Sequence, residues 1–326
     1  MKLALVGDIG GTNARFALWR DQQLESVRVM PTAEYADLEG AICAYLAEQQ
    51  LPVGAVTSVC LACAGPVDGD EFSFTNNQWH ISRAAFSRAL QLDQLLLIND
   101  FSAMALGMTR LHESERLLVC PGEAEPQRPT VVIGPGTGLG VSTLLKLDEG
   151  RWRALAGEGG HVDLPVGNLR EAELWTCLFK QLGHVRAESV LCGNGLLRLY
   201  RASCDLDGQV APLTSPAEIT AAALAGEPVA IGVLEQFCDW LGRVAGNNVL
   251  TLGARGGVYI AGGIIPRFAD FFLASGFARC LRDKGPMSDY FDGIPVWLVT
   301  APYPGLLGAG VALQQASVQD VLPAAN

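Results

Sequence analysis

The turn that decides the fold reads Gly7-Asp8-Ile9-Gly10-Gly11-Thr12-Asn13-Ala14-Arg15, and strand-like apolar runs flank it on both sides. A second turn of the same kind reads Gly134-Pro135-Gly136-Thr137-Gly138-Leu139-Gly140, again between two such runs. Glycine tolerates positive φ and lets backbone N–H groups approach a ligand without a Cβ in the way. Each segment therefore predicts strand, tight turn, strand. Together they predict two phosphate clamps built from backbone donors.

Two other phosphate-binding motifs do not fit these turns. A Walker A loop needs Gly-Lys-Ser/Thr at the start of a helix, and neither turn contains a lysine. A dinucleotide fingerprint needs a glycine at its sixth position, which is Leu139 when counted from Gly134 and Val141 when counted from Gly136. Two ordinary glycine hairpins are the alternative. The repetition, with an aspartate in the first turn and a threonine in the second, favours a nucleotide-using phosphotransferase.

Length and composition agree with an enzyme of two domains, or of one large domain. The chain has 326 residues, of which 49% are hydrophobic and 17% charged, and its formal net charge is −11. No basic cluster stands out, which argues against nucleic acid as a partner. The chain starts directly with a strand, and its apolar runs are too short for a membrane span. We therefore expect a cytoplasmic protein with no membrane partner.

The nine cysteines are scattered without the spacing of a disulfide framework. Cys60 and Cys63 form a C-x-x-C pair, but they lie inside an apolar run at 59–64. No second pair and no nearby histidine completes a zinc site. The pattern predicts buried thiols in a strand.

Strand and helix patterns alternate in the first hundred residues, which indicates an α/β unit. They predict helices at 37–50 and 82–91 and strands at 56–64 and 95–98. The polar, proline-containing stretch at 111–129 predicts a crossing segment between domains.

Helix signals recur in the second half of the chain. Ser215-Pro216-Ala217-Glu218 has the serine cap, first-position proline and third-position glutamate of a helix start, and a longer helix is expected at about 228–251. Strands are expected from residue 257 and at 294–299. A helix at 304–313 would pack back on the first domain. The two glycine turns also suggest a duplicated α/β unit.

Polar residues follow the strand at 95–98. Asn99 and Asp100 come at its carboxyl end, where ligands bind in open α/β folds, although both residue types also cap helices. A glycine loop, Gly157-Glu158-Gly159-Gly160-His161, presents an acid and a histidine; a lone histidine is more often structural, but its glutamate partner favours binding. Glu188 alone would be interpreted as a surface or capping residue.

With these motifs in order, the chain resembles the bacterial glucokinase family, within the hexokinase–actin–Hsp70-type ATPase superfamily. The matching stretches span nearly the whole length: 7–15, 75–76 with Trp79, 98–101, 134–140, 157–163, 183–188, 256–266 and 304–308. The resemblance implies an α/β, two-domain actin-like ATPase (ribonuclease H-like) fold with an interdomain cleft. The small domain would comprise 1–110 plus 301–326, and the large domain 111–300.

The resemblance also implies an activity and the residues that carry it. The reaction would be ATP-dependent phosphorylation of D-glucose at the 6-hydroxyl, in glycolysis, by a homodimer. The ATP phosphates would lie between Asp8, Ile9, Gly10, Gly11, Thr12, Asn13 and Gly136, Thr137, Gly138, with Gly262 and Gly263 beside the adenosine. The hexose hydroxyls would be held by Asn99, Asp100, Glu158, His161 and Glu188. Asp100 would be the general base, and Asp8 would help to hold Mg²⁺ through water.

One departure from related families affects the cofactor prediction. Many sugar kinases and repressors of the ROK group carry a cysteine zinc cluster after the Glu–His loop, whereas here no cysteine occurs before Cys177, so no structural zinc is expected. The repressors' helix-turn-helix would also have no room before the first strand. Alternatives are a kinase for another hexose, such as mannose or an N-acetylated amino sugar, and a non-catalytic sugar sensor or actin-like ATPase. A nicotinamide dehydrogenase is disfavoured by the failed fingerprint.

Overall fold

The computed structural model describes residues 3–65, 69–74, 77–148 and 150–319. Its strands are β1 (Ala4–Ile9), β2 (Asn13–Arg20), β3 (Gln23–Pro31), β4 (Ser58–Cys63), β5 (Glu71–Ser73), β6 (His80–Ser82), β7 (Gln94–Asn99), β8 (Arg116–Cys120), β9 (Thr130–Pro135), β10 (Leu139–Asp148), β11 (Arg151–Gly157), β12 (Val258–Ile260) and β13 (Val296–Val299). Its α-helices are α1 (Leu38–Glu48), α2 (Arg83–Ala89), α3 (Asp100–Gly107), α4 (Leu169–Leu182), α5 (Gly193–Leu206), α6 (Pro216–Leu224), α7 (Pro228–Leu252), α8 (Ala269–Ala274), α9 (Phe277–Arg282) and α10 (Pro304–Gln319).

The first sheet has the strand order β3-β2-β1-β4-β7. β1 and β2 form the predicted hairpin, while β1, β4 and β7 run parallel. In the register, Ile9 lies beside Cys63, and Cys63 lies beside Asn99. The first glycine turn and Asn99 therefore lie at the same edge of the sheet, at the carboxyl ends of parallel strands.

The second sheet has the order β11-β10-β9-β12-β13-β8. Here β9 and β10 form the second predicted hairpin, and β9, β12 and β13 run parallel. In each sheet, the first strand of the hairpin is also the first of three parallel strands. A duplicated α/β unit would give this arrangement. A small two-stranded sheet, β5 and β6, completes the set in the described residues.

The prediction that 111–129 is a crossing segment is wrong for part of that stretch. Residues Arg116–Cys120 form β8, which pairs antiparallel with β13 at the edge of the second sheet. Four of its five residues are apolar, and Leu118 is 57% exposed, as an edge strand allows. The prolines that suggested a linker follow the strand, beginning at Pro121.

The helix predictions are confirmed, with shifted ends. At α6 the Ser215 hydroxyl accepts from the Glu218 N–H, and the Glu218 carboxylate accepts from the Ser215 N–H, so the capping box is complete. α10 runs on to residue 319 instead of ending at 313, and it packs on the first sheet: Leu306, Ala309 and Leu313 lie against Val6 and Trp19 of that sheet.

The chain forms two compact units. The described residues up to 112, with 147–156 and those from 301 onward, form the first, and residues 113–146 and 157–300 form the second. Each has its own apolar core, that of the second built largely around α7. The domain division at 110 and 300 stays a prediction.

In the described part of the chain no single helix is long and apolar enough to cross a membrane. α6 and α7 pass that test only together, and they are bent by 109° relative to each other.

Candidate functional site

The first glycine turn joins β1 to β2 and carries a partly buried carboxylate. The N–H of Gly10 donates to the carbonyl of Asn13 at 3.0 Å, which closes the turn. Asp8, one residue before the end of β1, accepts from Arg15 Nη1 at 3.1 Å, and its side chain is 26% exposed. Burial raises the pKa of Asp8, and the nearby Arg15 guanidinium only partly opposes this. The first turn of α10 also adjoins Asp8, because a Cβ on Gly305 would lie 3.4 Å from Asp8 Cγ.

Two further side chains hold this turn in place, and sequence reasoning missed both roles. The Thr32 hydroxyl donates to the Gly11 carbonyl at 2.7 Å, and the Thr32 N–H donates to the Thr12 carbonyl at 2.9 Å. Asn77 Nδ2 donates to the Gly10 carbonyl at 3.2 Å. The turn is therefore tethered to two distant segments of the first unit.

Asn99 and Asp100 begin α3 at the carboxyl end of β7. The Asn99 side chain accepts from the Ser102 N–H at 3.0 Å, so the capping interpretation is confirmed for this residue. Asp100 Oδ1 accepts from the Phe101 N–H at 2.8 Å and from Asn99 Nδ2 at 3.2 Å. These bonds hold the Asp100 carboxylate at the same sheet edge as the first glycine turn.

The second glycine turn joins β9 to β10. The Gly136 N–H donates to the Gly138 carbonyl at 2.7 Å, and the Gly193 N–H, at the start of α5, donates to the Gly136 carbonyl at 2.9 Å. Gly262 has φ +86°, and a Cβ there would overlap the carbonyl of Pro135. The structure therefore brings the glycine that was predicted to lie beside adenosine against the second turn.

The Glu158–His161 loop lies against the start of β10. His161 ends a short 3₁₀ turn, its N–H donating to the Glu158 carbonyl at 2.9 Å, and its Nε2 lies 3.9 Å from Glu158 Oε2. Both side chains are well exposed, Glu158 at 81% and His161 at 47%. A Cβ on Gly160 would overlap the carbonyl of Leu139, so only glycine fits against the strand here.

The backbone segment that leads to Glu188 pairs with the segment that follows the Glu158–His161 loop. The Leu164 N–H donates to the Val185 carbonyl at 3.0 Å, and the Ala187 N–H donates to the Val162 carbonyl at 2.8 Å, so the two segments pair. The carboxylate of Glu188 accepts from the Leu139 N–H at 2.9 Å through Oε2. Of the two interpretations, surface or capping, the second fits: the Glu188 side chain is 23% exposed, and its carboxylate caps an amide at the end of the second glycine turn.

The sequence-predicted residues form two sets, one in each unit. The first unit holds Asp8, Ile9, Gly10, Gly11, Thr12, Asn13, Asn99 and Asp100. The second unit holds Gly136, Thr137, Gly138, Glu158, His161, Glu188, Gly262 and Gly263. Thr75 and Asn76, which matched the family pattern, lie outside the described residues.

A structural metal ion needs a cluster of side-chain ligands. The described ranges contain no cluster of three or more His, Cys, Asp and Glu side chains suited to a metal ion. Cys60 and Cys63 are buried thiols of β4, as predicted, and burial raises the pKa of Cys60. The prediction that the protein carries no structural zinc stays a prediction.

Comparison with known proteins agrees with the fold and with the motifs. A family model for glucokinase matches residues 5–316. The glucokinase of Pseudomonas paraeruginosa is 58% identical over 315 residues, which cover 96% of this chain and 93% of that protein. The crystal structure of a glucokinase from an Antarctic psychrotroph is 36% identical, with a TM-score of 0.87 over 97% of this chain and 99% of that one.

A more distant likeness shows the fold alone. The ROK family glucokinase of Streptomyces griseus, solved with glucose and AMPPNP, is 20% identical, with a TM-score of 0.64 over 96% of this chain and 99% of that one. These likenesses confirm the α/β, actin-like ATPase class of the fold. Because the family model and a highly identical relative both cover nearly the whole chain, the chain belongs to the glucokinase family, the kinases that phosphorylate glucose with ATP.

Proposed function

We propose that this chain transfers the γ-phosphoryl group of ATP to the 6-hydroxyl of D-glucose, with Asp100 as the general base. The observation that carries the proposal is the position of the Asp100 carboxylate, held at the sheet edge where β1 ends in the first glycine turn. A sugar hydroxyl is a poor nucleophile and must lose its proton as it attacks. A carboxylate in hydrogen-bond reach contributes about 10²- to 10⁴-fold by accepting it.

The sugar hydroxyls would be held by Asn99, Asp100, Glu158, His161 and Glu188. Glu158 and His161 are exposed, so their polar atoms are accessible to a ligand. Carboxylates and an imidazole suit a polyhydroxylated substrate. A sugar that covered one of these groups without forming a hydrogen bond to it would lose about 1–3 kcal/mol of binding free energy.

The ATP phosphates would lie against residues 8–13 and 136–138. The N–H groups of Gly10 and Gly136 close the turns, so the proposed donors are among the other backbone N–H groups of these segments. The transition state of phosphoryl transfer is loose, so most of the remaining acceleration comes from alignment and charge neutralisation. The AMPPNP bound to the Streptomyces griseus relative supports ATP as the donor. Gly262 and Gly263 would lie beside the adenosine, next to the second turn.

Asp8 suits a magnesium ion that is bound through water. Mg²⁺ keeps several waters and needs only one or two carboxylates besides the substrate phosphates. Burial raises the pKa of Asp8, so a further cation beside it would favour the ionised form. When bound, the ion would neutralise charge on the phosphates.

We also propose, from the family resemblance, a cytoplasmic homodimer of two-domain subunits that feeds glucose into glycolysis. Light scattering coupled to size-exclusion chromatography tests the dimer, for which a mass of about twice the 34.6 kDa chain is expected.

The activity is tested by a coupled assay for glucose 6-phosphate with purified protein and Mg²⁺-ATP. Glucose, mannose and N-acetylated amino sugars are compared at equal concentrations, and glucose should give the highest kcat/KM. Turnover on another hexose alone would keep the mechanism and change the substrate. Sugar binding without turnover on any sugar would overturn the proposal in favour of a sensor.

A further inference from the structure

The peptide group between Gly138 and Leu139 is held at both of its ends. Its carbonyl, on Gly138, accepts from the Gly136 N–H at 2.7 Å within the turn. Its N–H, on Leu139, donates to Glu188 Oε2 at 2.9 Å. A peptide plane held in this way restricts the directions of the neighbouring Thr137 and Gly138 amides, which are among the groups proposed to bind phosphate.

The space around this bond is built for a carboxylate. A Cβ on Gly138 would overlap Glu188 Oε2, so the glycine is needed for the carboxylate to reach the turn. The backbone of Glu188 is also held, because the Cys192 thiol donates to the Glu188 main-chain carbonyl at 3.2 Å. The next residue, Gly193, donates to the Gly136 carbonyl at 2.9 Å. The segment 188–193 therefore contacts both ends of the second glycine turn.

We propose that Glu188 is a positioning residue for the nucleotide turn at 136–138, in addition to its sugar role, and that it thereby links sugar binding to nucleotide binding. The inference rests on the proposed function for the identity of the two ligands. A hydroxyl that donates to this carboxylate restricts its rotamers. The bond to Leu139, and with it the turn, is then better ordered when ATP arrives.

Two substitutions of Glu188 separate its charge from its hydrogen bond. Both Glu188→Gln and Glu188→Ala remove the negative charge. Removing this charge by itself favours the binding of an anionic nucleotide. Glutamine retains a carbonyl oxygen that can accept from the Leu139 N–H, and alanine does not. Arg186 Nη2 lies 3.6 Å from Glu188 Oε1, and glutamine can keep that contact as well. Arg186→Ala is therefore measured alongside, and a difference between the two Glu188 variants that exceeds its effect reports the bond to Leu139.

The experiment measures the affinity of AMPPNP for each variant by calorimetry, without sugar and with Mg²⁺. We expect Glu188→Ala to bind AMPPNP about tenfold more weakly than Glu188→Gln, since a hydrogen bond of this kind is lost. The matched pair Glu158→Gln and Glu158→Ala should show no such difference, because no bond between Glu158 and the turn occurs among the described contacts. Equal affinities for the two Glu188 variants would overturn the proposal.

Hydrogen exchange gives a second readout that needs neither nucleotide nor turnover. The Leu139 amide should exchange slowly in the wild type and in Glu188→Gln, and faster in Glu188→Ala. Should Glu188→Ala fail to fold, Glu188→Leu removes the acceptor while keeping the apolar bulk of the side chain. Unprotected exchange of Leu139 in the folded wild type would contradict the inference, whereas missing turnover on glucose would contradict only the proposed function.

Discussion

The hydroxyl of Thr32 donates a hydrogen bond of 2.7 Å to the carbonyl of Gly11, in the middle of the first glycine turn. Thr32 is only 3% exposed, so water does not readily replace the bond. We expect Thr32→Val, which keeps the shape and removes the donor, to raise the KM for ATP and to lower the free energy of unfolding by about 1 kcal/mol. Thr32→Ser keeps the hydroxyl and should leave the KM for ATP unchanged, although the loss of a buried methyl group lowers its stability. Equal KM values for ATP in the valine and serine variants would contradict a role for the bond.

A buried ion pair stabilises the helical part of the second unit. Arg243 Nε donates to Glu171 Oε1 at 2.9 Å, and the two side chains are only 5% and 0% exposed. Removing one partner leaves the other charge buried without compensation, so Arg243→Met should lower the free energy of unfolding by about 3–5 kcal/mol in urea titrations. The exposed pair Arg20–Glu25 provides the control: Arg20→Met should change stability by less than about 1 kcal/mol. Equal losses for both arginines would refute the assignment.

Two glycine-to-alanine substitutions should shift stability in opposite directions. A Cβ on Gly308 would overlap the carbonyl of Ala103, where α10 crosses α3, so Gly308→Ala should destabilise the protein by about 1–3 kcal/mol. Gly232 lies exposed in α7 with nothing near its Cβ position, and Gly232→Ala should stabilise by about 0.5–1 kcal/mol. Thermal melts of the two variants test this, and a shared sign would contradict the packing described for α10.

Acid sensitivity is expected from Asp283. A hydrogen bond from Arg243 holds the pKa of Asp283 below its usual value of 3.8, and Arg243 Nη1 lies 2.8 Å from Asp283 Oδ2. A lowered folded-state pKa stabilises the protein above the unfolded-state value, and the stabilisation is lost as pH falls through the folded-state pKa. The difference in unfolding free energy between wild type and Asp283→Asn should therefore be largest at neutral pH and shrink below about pH 3.8. A difference independent of pH would show that charge is not involved.

Local sequence patterns were sufficient for both glycine hairpins and for the start of α6. Glycine spacing and flanking apolar runs predicted both hairpins, and the residue types at 215–218 predicted a capping box that the structure contains. The strand Arg116–Cys120 was missed because it is short, half exposed and followed by prolines, so that its local pattern resembles a linker.

The contacts that hold the site residues in place were out of reach of the sequence. Thr32 bonds a carbonyl 21 positions away, Asn77 one that is 67 positions away, and Glu188 an amide 49 positions away. Each partner is a backbone group, which any residue type could supply, so no motif marks it. The proposed roles of Asp100, Glu158 and His161 came from family resemblance, and they stay predictions until they are measured.

The most direct test of the account is the turnover of Asp100→Asn on glucose, measured beside glucose affinity by calorimetry. Asparagine keeps the shape of the side chain but cannot accept the proton, so kcat should fall by about 10²- to 10⁴-fold while glucose affinity changes little. Asp37→Asn serves as the control, because Asp37 caps α1, has no proposed contact with glucose or ATP, and asparagine caps as well. An unchanged kcat in Asp100→Asn would contradict the assignment of Asp100 as the general base.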